Sequence, residues 1–154
     1  MLILNICVQI FTIISVLVAT LAILLSTQAS RRQMNVQVFT TYCDRYEKIM
    51  SEFPENAFHS RFDLTSVELP ERSTTLTLCI LKYLNLSSEE FYLWKSKYVD
   101  DKVWKIWEDE IKRMVKSPLL QREWSFIHKE FDGYPDFKRF VETQQAINHS
   151  TILP

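Results

Sequence analysis

The chain has 154 residues, with 18 basic and 19 acidic side chains and a formal net charge of −1. Such a near-neutral chain has no overall field that would attract nucleic acid or steer a charged ligand. Its single glycine, Gly133, excludes glycine-rich loops that cradle phosphates or dinucleotides, because those loops need several glycines at fixed spacing. We therefore expect an all-α protein.

The first element is an apolar segment. Residues 1–30 contain no Asp, Glu, Lys, Arg or His. About 20 apolar residues suffice for a helix to cross a bilayer, whereas a signal peptide would start with basic residues and have a shorter apolar core. We predict an uncleaved transmembrane helix over 1–30. Arg31 and Arg32 follow it, so the positive-inside rule places residues 31–154 in the cytoplasm and the N-terminus outside.

The remaining elements are also predicted to be helices. No Gly or Pro interrupts residues 2–53, so the first helix should continue into the cytoplasmic domain as far as Pro54. Residues 54–73 indicate a loop with a short turn. The next helix should cover 74–98 as one element, although residues 87–90 could instead cap a new helix.

Three shorter helices complete the predicted bundle. Asp100 or Asp101 can cap a helix that ends near Lys116. Ser117 followed by Pro118 is a typical N-cap and first-turn proline, which begins a helix to about residue 131. The last helix should cover about 135–147.

One face of the predicted span is polar and small. At about 100° per residue, the polar and small side chains of the span fall within a sector of about 140° around the helix axis. Leu, Ile, Phe and Val occupy the opposite side. Amides in hydrocarbon need partners, and small residues let helices approach closely. The pattern indicates a helix that packs against its own copies or lines a wet lumen. The alternative is a plain anchor with its amides near the outer headgroups. The polar face consists of Asn5, Gln9, Thr12, Ser15 and Ala19.

A second motif joins an arginine to a histidine. Arg122 and His128 are separated by five residues, a spacing that resembles the Arg/His motif of the helical HEPN ribonucleases. There the pair polarises a phosphate and moves protons during RNA cleavage. On one helix the two would lie about 120° and 9 Å apart, so a second subunit would have to complete the site. The alternative is a surface arginine and a half-buried histidine.

Other residue classes point to structure. The aromatic side chains between residues 92 and 134 are expected in the core rather than on a base-stacking platform. The charges between residues 95 and 116, Glu110 among them, should form a solvated face. Cys7, Cys43 and Cys79 are interpreted as small apolar fillers, and neither a disulfide, a metal site nor a cofactor is indicated.

Four stretches carry a family resemblance, namely residues 87–94, 100–108, 117–120 with Trp124, and 134–141. They resemble small bacterial single-span membrane proteins, in particular the accessory proteins of RNA-targeting type VI-B CRISPR systems. The resemblance implies a divergent HEPN-like domain, location in the bacterial inner membrane, and a ring-shaped homo-oligomer whose N-terminal helices enclose a pore. It also implies antiviral defence, with the bilayer, other copies of the chain, and an RNA-guided effector nuclease or RNA as partners.

The leading hypothesis is a homo-oligomeric membrane pore or membrane-perturbing effector, with no evident small-molecule substrate. One alternative is a membrane-tethered ribonuclease at Arg122 and His128. The other is a membrane-anchored adaptor that presents a helical docking domain. Glu123 directly follows the arginine, and an acid there would repel RNA phosphate. This favours the pore over the enzyme.

Overall fold

The computed structural model describes residues 1–65 and 68–151, and of residues 2–4, 7 and 148–151 it describes the backbone alone. The described residues form helices and connecting turns without a β-strand, which confirms the predicted all-α class. A 3₁₀ turn at His128–Phe131 lies between the last two α-helices. The α-helices are α1 (Leu2–Ser51), α2 (Glu55–Phe58), α3 (Thr74–Lys95), α4 (Asp101–Val115), α5 (Pro118–Ile127) and α6 (Pro135–Thr151).

The chain divides into two compact units, Met1–Val38 and Phe39–Pro154, and α1 contributes to both. The first unit is the N-terminal part of α1. From Val8 onward it includes a segment long and apolar enough to cross a membrane. The second unit, called the helical domain below, contains the remaining elements.

The helical domain is held together by a core that five elements share. Helix α3 contacts α4 and α5, α4 contacts α5 and α6, and the 3₁₀ turn packs against α5 and α6. Close packing of these faces excludes water from the centre of the bundle. Its largest fully buried apolar side chains are Tyr83, Phe131, Phe137, Leu76, Ile80, Leu84, Leu86, Ile111, Met114, Leu119 and Leu120.

Two helix starts follow their predicted caps. The Asp100 carboxylate accepts hydrogen bonds from the backbone N–H groups of Lys102 and Val103, at 3.0 and 2.9 Å. The Ser117 hydroxyl accepts one from the Leu120 N–H at 3.2 Å, and Pro118 occupies the first turn. Each cap satisfies backbone donors that a helix N-terminus leaves unpaired.

The end of α3 differs from its prediction. The helix runs unbroken through Ser87 and Ser88, as expected, but it ends at Lys95 rather than Tyr98. Lys97 has a left-handed φ of 62°, and the Tyr98 N–H donates to the Leu93 carbonyl at 2.9 Å. This closing turn resembles the glycine-terminated end of many helices, with a lysine in the glycine position. It leaves Tyr98 54% exposed, so the prediction that Tyr98 faces the core was wrong.

The aromatic side chains are divided between core and surface. Trp104, Trp107 and Trp124 are buried as predicted, and the half-buried Trp94 ring stacks on Trp104 with centroids 4.7 Å apart. The prediction of a fully internal aromatic set was wrong for four members. These exposed residues are Tyr92, Tyr98, Phe126 and Tyr134.

The cysteines have different environments. Cys79 is buried, as expected of an apolar filler, and its thiol donates to the Glu52 carbonyl at 3.2 Å. Cys43 is exposed, which contradicts its interpretation as a filler. The side chain of Cys7 lies outside the described residues.

Candidate functional site

The polar face of α1 is built from side chains of two kinds. The hydroxyls of Thr12 and Ser15 donate to the carbonyls of Val8 and Phe11, at 2.8 and 2.9 Å. Such bonds to the preceding turn satisfy a hydroxyl inside its own helix. These two positions therefore present a small, largely apolar surface and need no partner from another helix.

The carboxamides of Asn5 and Gln9 differ from those hydroxyls. Both side chains are exposed, and neither forms a hydrogen bond with any residue that the structure describes. A carboxamide has two donor hydrogens and an acceptor oxygen. In an apolar environment these groups require partners from outside the helix.

The opposite side of the same segment is apolar and bare. Ile10, Leu17 and Leu21, about 140°, 120° and 160° around the helix from Asn5, are 52%, 64% and 57% exposed. Contiguous exposed apolar surface on this scale marks a site that lipid or protein covers. The segment thus combines a face suited to lipid with a face suited to another helix.

The predicted Arg/His motif lies at the end of α5. The Arg122 guanidinium donates to the Glu123 carboxylate at 2.9 Å and to the Pro70 carbonyl at 2.7 Å. His128 is half-buried and is the first residue of the 3₁₀ turn. Among the described residues, no hydrogen bond or ion pair joins the two side chains. Catalysis by Arg122 and His128 therefore stays a prediction. The hydrogen bonds of Arg122 to Glu123 and Pro70 stabilise the fold.

Glu123 explains those contacts. It is fully buried, and its carboxylate accepts a hydrogen bond from the Thr77 hydroxyl at 2.9 Å. The guanidinium groups of Arg72 and Arg122 lie 3.4 and 2.8 Å from its oxygens. A carboxylate without water is stable only when it is paired and hydrogen-bonded. This cluster fixes the segment before α3 onto α5.

A further site, which we call the acid cavity, lies within the helical domain. It has a volume of about 190 Å³ and contains two carboxyl groups, one from α3 and one from α4. The rings of Tyr42 and Trp107 form part of its wall, with centroids 5.4 Å apart. Its lining consists of Phe39, Tyr42, Cys43, Tyr46, Glu90, Ile106, Trp107 and Glu110.

The two carboxyl groups of this cavity, Glu90 and Glu110, have pKa values well above the ordinary value of a glutamate. Burial, reinforced by the charge of Glu110, raises the pKa of Glu90 to about 9. Burial also raises the pKa of Glu110, to about 7, against the opposing effects of Tyr46, Arg113 and Arg61. The prediction that Glu110 belongs to a solvated face was wrong, since its Oε1 atom is buried without a hydrogen-bond partner among the described residues. Near neutral pH, Glu90 is therefore protonated and Glu110 is partly ionised.

No protein-family model matches the chain, and no curated protein or solved structure matches it either. The resemblance to CRISPR accessory proteins accordingly stays a prediction.

The sequence contains a signal for the acid cavity. Glu90 follows Tyr83 and Ser87 at the seven- and three-residue spacing that places all three on the buried face of α3. Glu110 follows Trp107 by three residues on α4. An acid in register with core residues indicates a buried carboxyl, because charged side chains are almost never fully buried without a reason.

Proposed function

We propose that this protein is a homo-oligomeric membrane pore or membrane-perturbing effector. The N-terminal part of α1 spans the membrane, and its polar face packs against the same face of neighbouring copies or lines a lumen. The observation that supports this proposal most directly is the pair of exposed carboxamides, Asn5 and Gln9, on a helix whose other side is apolar.

Carboxamides such as those of Asn5 and Gln9 are unfavourable on a lone membrane anchor. An unpaired amide in hydrocarbon costs several kcal/mol, on the order of 4 for transfer without a hydrogen bond. Self-association offers each carboxamide a partner in the next copy, or water in a lumen, and Ala19 allows close helix approach. A lone anchor gains nothing from collecting its polar and small residues on one side.

The test combines assembly with membrane permeability. In dodecyl maltoside, the purified chain should have a mass several times that of the 18.3 kDa monomer, and in liposomes it should release a trapped dye. Asn5→Leu with Gln9→Leu should abolish dye release. The matched control is Ile10→Leu with Ile14→Leu, which places two leucines about 140° and 180° from Asn5 and should leave release intact.

Two outcomes would contradict the proposal. One is a monomer in detergent, and the other is unchanged dye release by the double mutant of Asn5 and Gln9. Replacing residues 1–30 with an unrelated span separates the pore from the adaptor hypothesis, because an adaptor would keep its activity after that exchange and a pore would lose it.

The orientation and the cellular role belong to the same proposal. Arg31 and Arg32 favour a cytoplasmic helical domain in a bacterial inner membrane, and a C-terminal fluorescent fusion should then be active where a phosphatase fusion is not. The family resemblance favours antiviral defence beside an RNA-guided nuclease. Phage plaque counts with and without such a nuclease, in cells carrying the wild type or the double mutant, test that role.

A further inference from the structure

The acid cavity contains a carboxyl without a partner. Glu90 is 5% exposed, and among the described residues its side chain forms no hydrogen bond or ion pair. Arg45 is the cation that lowers the pKa of Glu90. Its guanidinium, however, already donates to both carboxylate oxygens of Glu89, at 2.6 and 3.1 Å. The carboxyl lines the acid cavity, so a ligand in that cavity can serve as its partner.

The second carboxyl of the cavity, that of Glu110, has cations near it, although its Oε1 atom is buried without a hydrogen-bond partner among the described residues. Arg61 and Arg113 both act on Glu110 and lower its pKa, and the Tyr46 hydroxyl lies beside it. Burial followed by the charge of Glu110 raises the pKa of Tyr46 to about 12, so this hydroxyl stays protonated. Uncompensated acidity in the cavity is therefore concentrated at Glu90.

The walls of the cavity suit an organic cation. The Phe39 and Trp107 rings are stacked 6.3 Å apart, and Tyr42 lies 5.4 Å from Trp107. The Arg45 guanidinium already lies 5.0 Å from the centroid of the Tyr42 ring. The quadrupole of an aromatic ring attracts cations to its face. Aromatic faces combined with a carboxylate are a recurring way to bind quaternary ammonium groups.

Size limits the ligand. A dry cavity of about 150 Å³ binds one benzene molecule, so the cavity of about 190 Å³ has room for one ligand of similar size. A hydrated metal ion would leave the aromatic walls without a function. We propose that the acid cavity binds a small organic ammonium ion, whose charge is neutralised by Glu90 and whose alkyl groups contact Trp107, Tyr42 and Phe39.

Binding should release a proton. Glu90 holds its proton to about pH 9 in the free protein, whereas a bound cation favours the carboxylate. Below that pH, affinity for the cation should rise about tenfold for each unit of pH. A ligand held by apolar contacts alone would bind equally at each pH.

The experiment uses the full chain in dodecyl maltoside, whose headgroup carries no ammonium. Choline chloride is titrated by calorimetry against its neutral isostere dimethylbutanol, with sodium chloride held constant. Choline should saturate one site per chain, with an affinity about ten times higher at about pH 8 than at about pH 7, and dimethylbutanol should not compete. Glu90→Gln should weaken choline binding at least tenfold, while Asp109→Asn, an exposed acid paired with Lys105, should leave it unchanged.

Several results would overturn the proposal. They are equal binding of choline and dimethylbutanol, absence of choline binding at about pH 8, and wild-type affinity in Glu90→Gln. Should that variant fail to fold, a flat pH dependence in the wild type overturns the proposal by itself.

An ammonium group occurs on free solutes and on lipid headgroups, and nanodiscs distinguish these sources. Choline titration that is blocked in phosphatidylcholine nanodiscs, but retained in phosphatidylglycerol nanodiscs, identifies a headgroup as the ligand. Titration retained in both identifies a free solute. The outcome for the pore is independent, because the Asn5 and Gln9 variants do not alter the acid cavity.

Discussion

Replacing Glu90 by Gln should stabilise the helical domain at neutral pH and should not do so in acid. The pKa of Glu90 is raised from 4.5 to about 9, mainly by burial. The folded chain therefore retains a proton that the unfolded chain loses above about pH 4.5. The contribution of Glu90 to the free energy of unfolding is therefore fully present below about pH 4.5. It falls as the pH rises and stops falling near the folded pKa of about 9.

The magnitude follows from the difference in pH. At about pH 7 the wild type has lost up to about 3 kcal/mol relative to about pH 4.5, at roughly 1.4 kcal/mol per unit. Glu90→Gln keeps a neutral side chain of the same size in both states and removes this loss. Glu110 acts in the same direction between about 4.5 and its pKa of about 7, so the variant should retain a smaller dependence over that range.

Urea unfolding followed by tryptophan fluorescence measures the effect, because all four tryptophans lie in the helical domain. With a urea slope of about 2 kcal/mol per molar, the midpoint of Glu90→Gln at about pH 7 should lie up to about 1.5 M above that of the wild type. At about pH 4, below the unfolded pKa of 4.5, the two midpoints should nearly coincide.

Glu89→Gln is the matched control on the neighbouring residue. The hydrogen bonds from Arg45 lower the pKa of Glu89. Removing the Glu89 carboxylate should therefore destabilise the domain above about pH 4.5. The pair is almost half exposed, and the effect should stay below about 1 kcal/mol. Equal shifts for both variants, or a Glu90→Gln midpoint that follows the wild type at all pH values, would refute the burial of Glu90.

Three further substitutions test other parts of the structure. Arg122→Ala should lower the unfolding free energy by about 2 kcal/mol in urea titrations, because Glu123 and the Pro70 carbonyl lose a charged donor; an arginine that served catalysis alone would leave stability unchanged. Lys97→Gly should raise the thermal midpoint, since it relieves a left-handed residue at a cost of about 1 kcal/mol; a lower midpoint would contradict that backbone assignment. Ser117→Ala should cost about 1 kcal/mol in the same assay by removing the α5 cap, and an unchanged unfolding free energy would contradict that cap.

Local signals in the sequence predicted local structure well. Asp100 and Ser117 begin α4 and α5 as expected, because a cap needs only a side chain and the following N–H groups. The end of α3 could not be predicted in this way. Its left-handed residue is Lys97 rather than glycine, and nothing in the neighbouring residues marks it.

The acid cavity required tertiary information. Glu89 and Glu90 are identical and adjacent, yet one is exposed and paired with Arg45 while the other is buried. Only the packing of α1, α3 and α4 distinguishes them, although core spacing could have marked Glu90. On the polar face of α1, periodicity predicted which side chains lie together, but the internal bonds of Thr12 and Ser15 depend on rotamers that no sequence pattern specifies.

The stability effect and the proposed ligand are linked, and the link gives a last prediction. A protein that places an unpaired carboxyl in its core loses up to about 3 kcal/mol at about pH 7. A ligand present at about 100 times its dissociation constant returns about 2.7 kcal/mol, which is nearly the same amount. Choline at that concentration should therefore move the wild-type urea midpoint upward, close to that of Glu90→Gln, and should move the variant's midpoint by at most about half as much, because an affinity tenfold weaker leaves about 1.4 kcal/mol. Choline that stabilises both chains equally would act on some other surface, and Glu90 would then be a buried acid without a ligand.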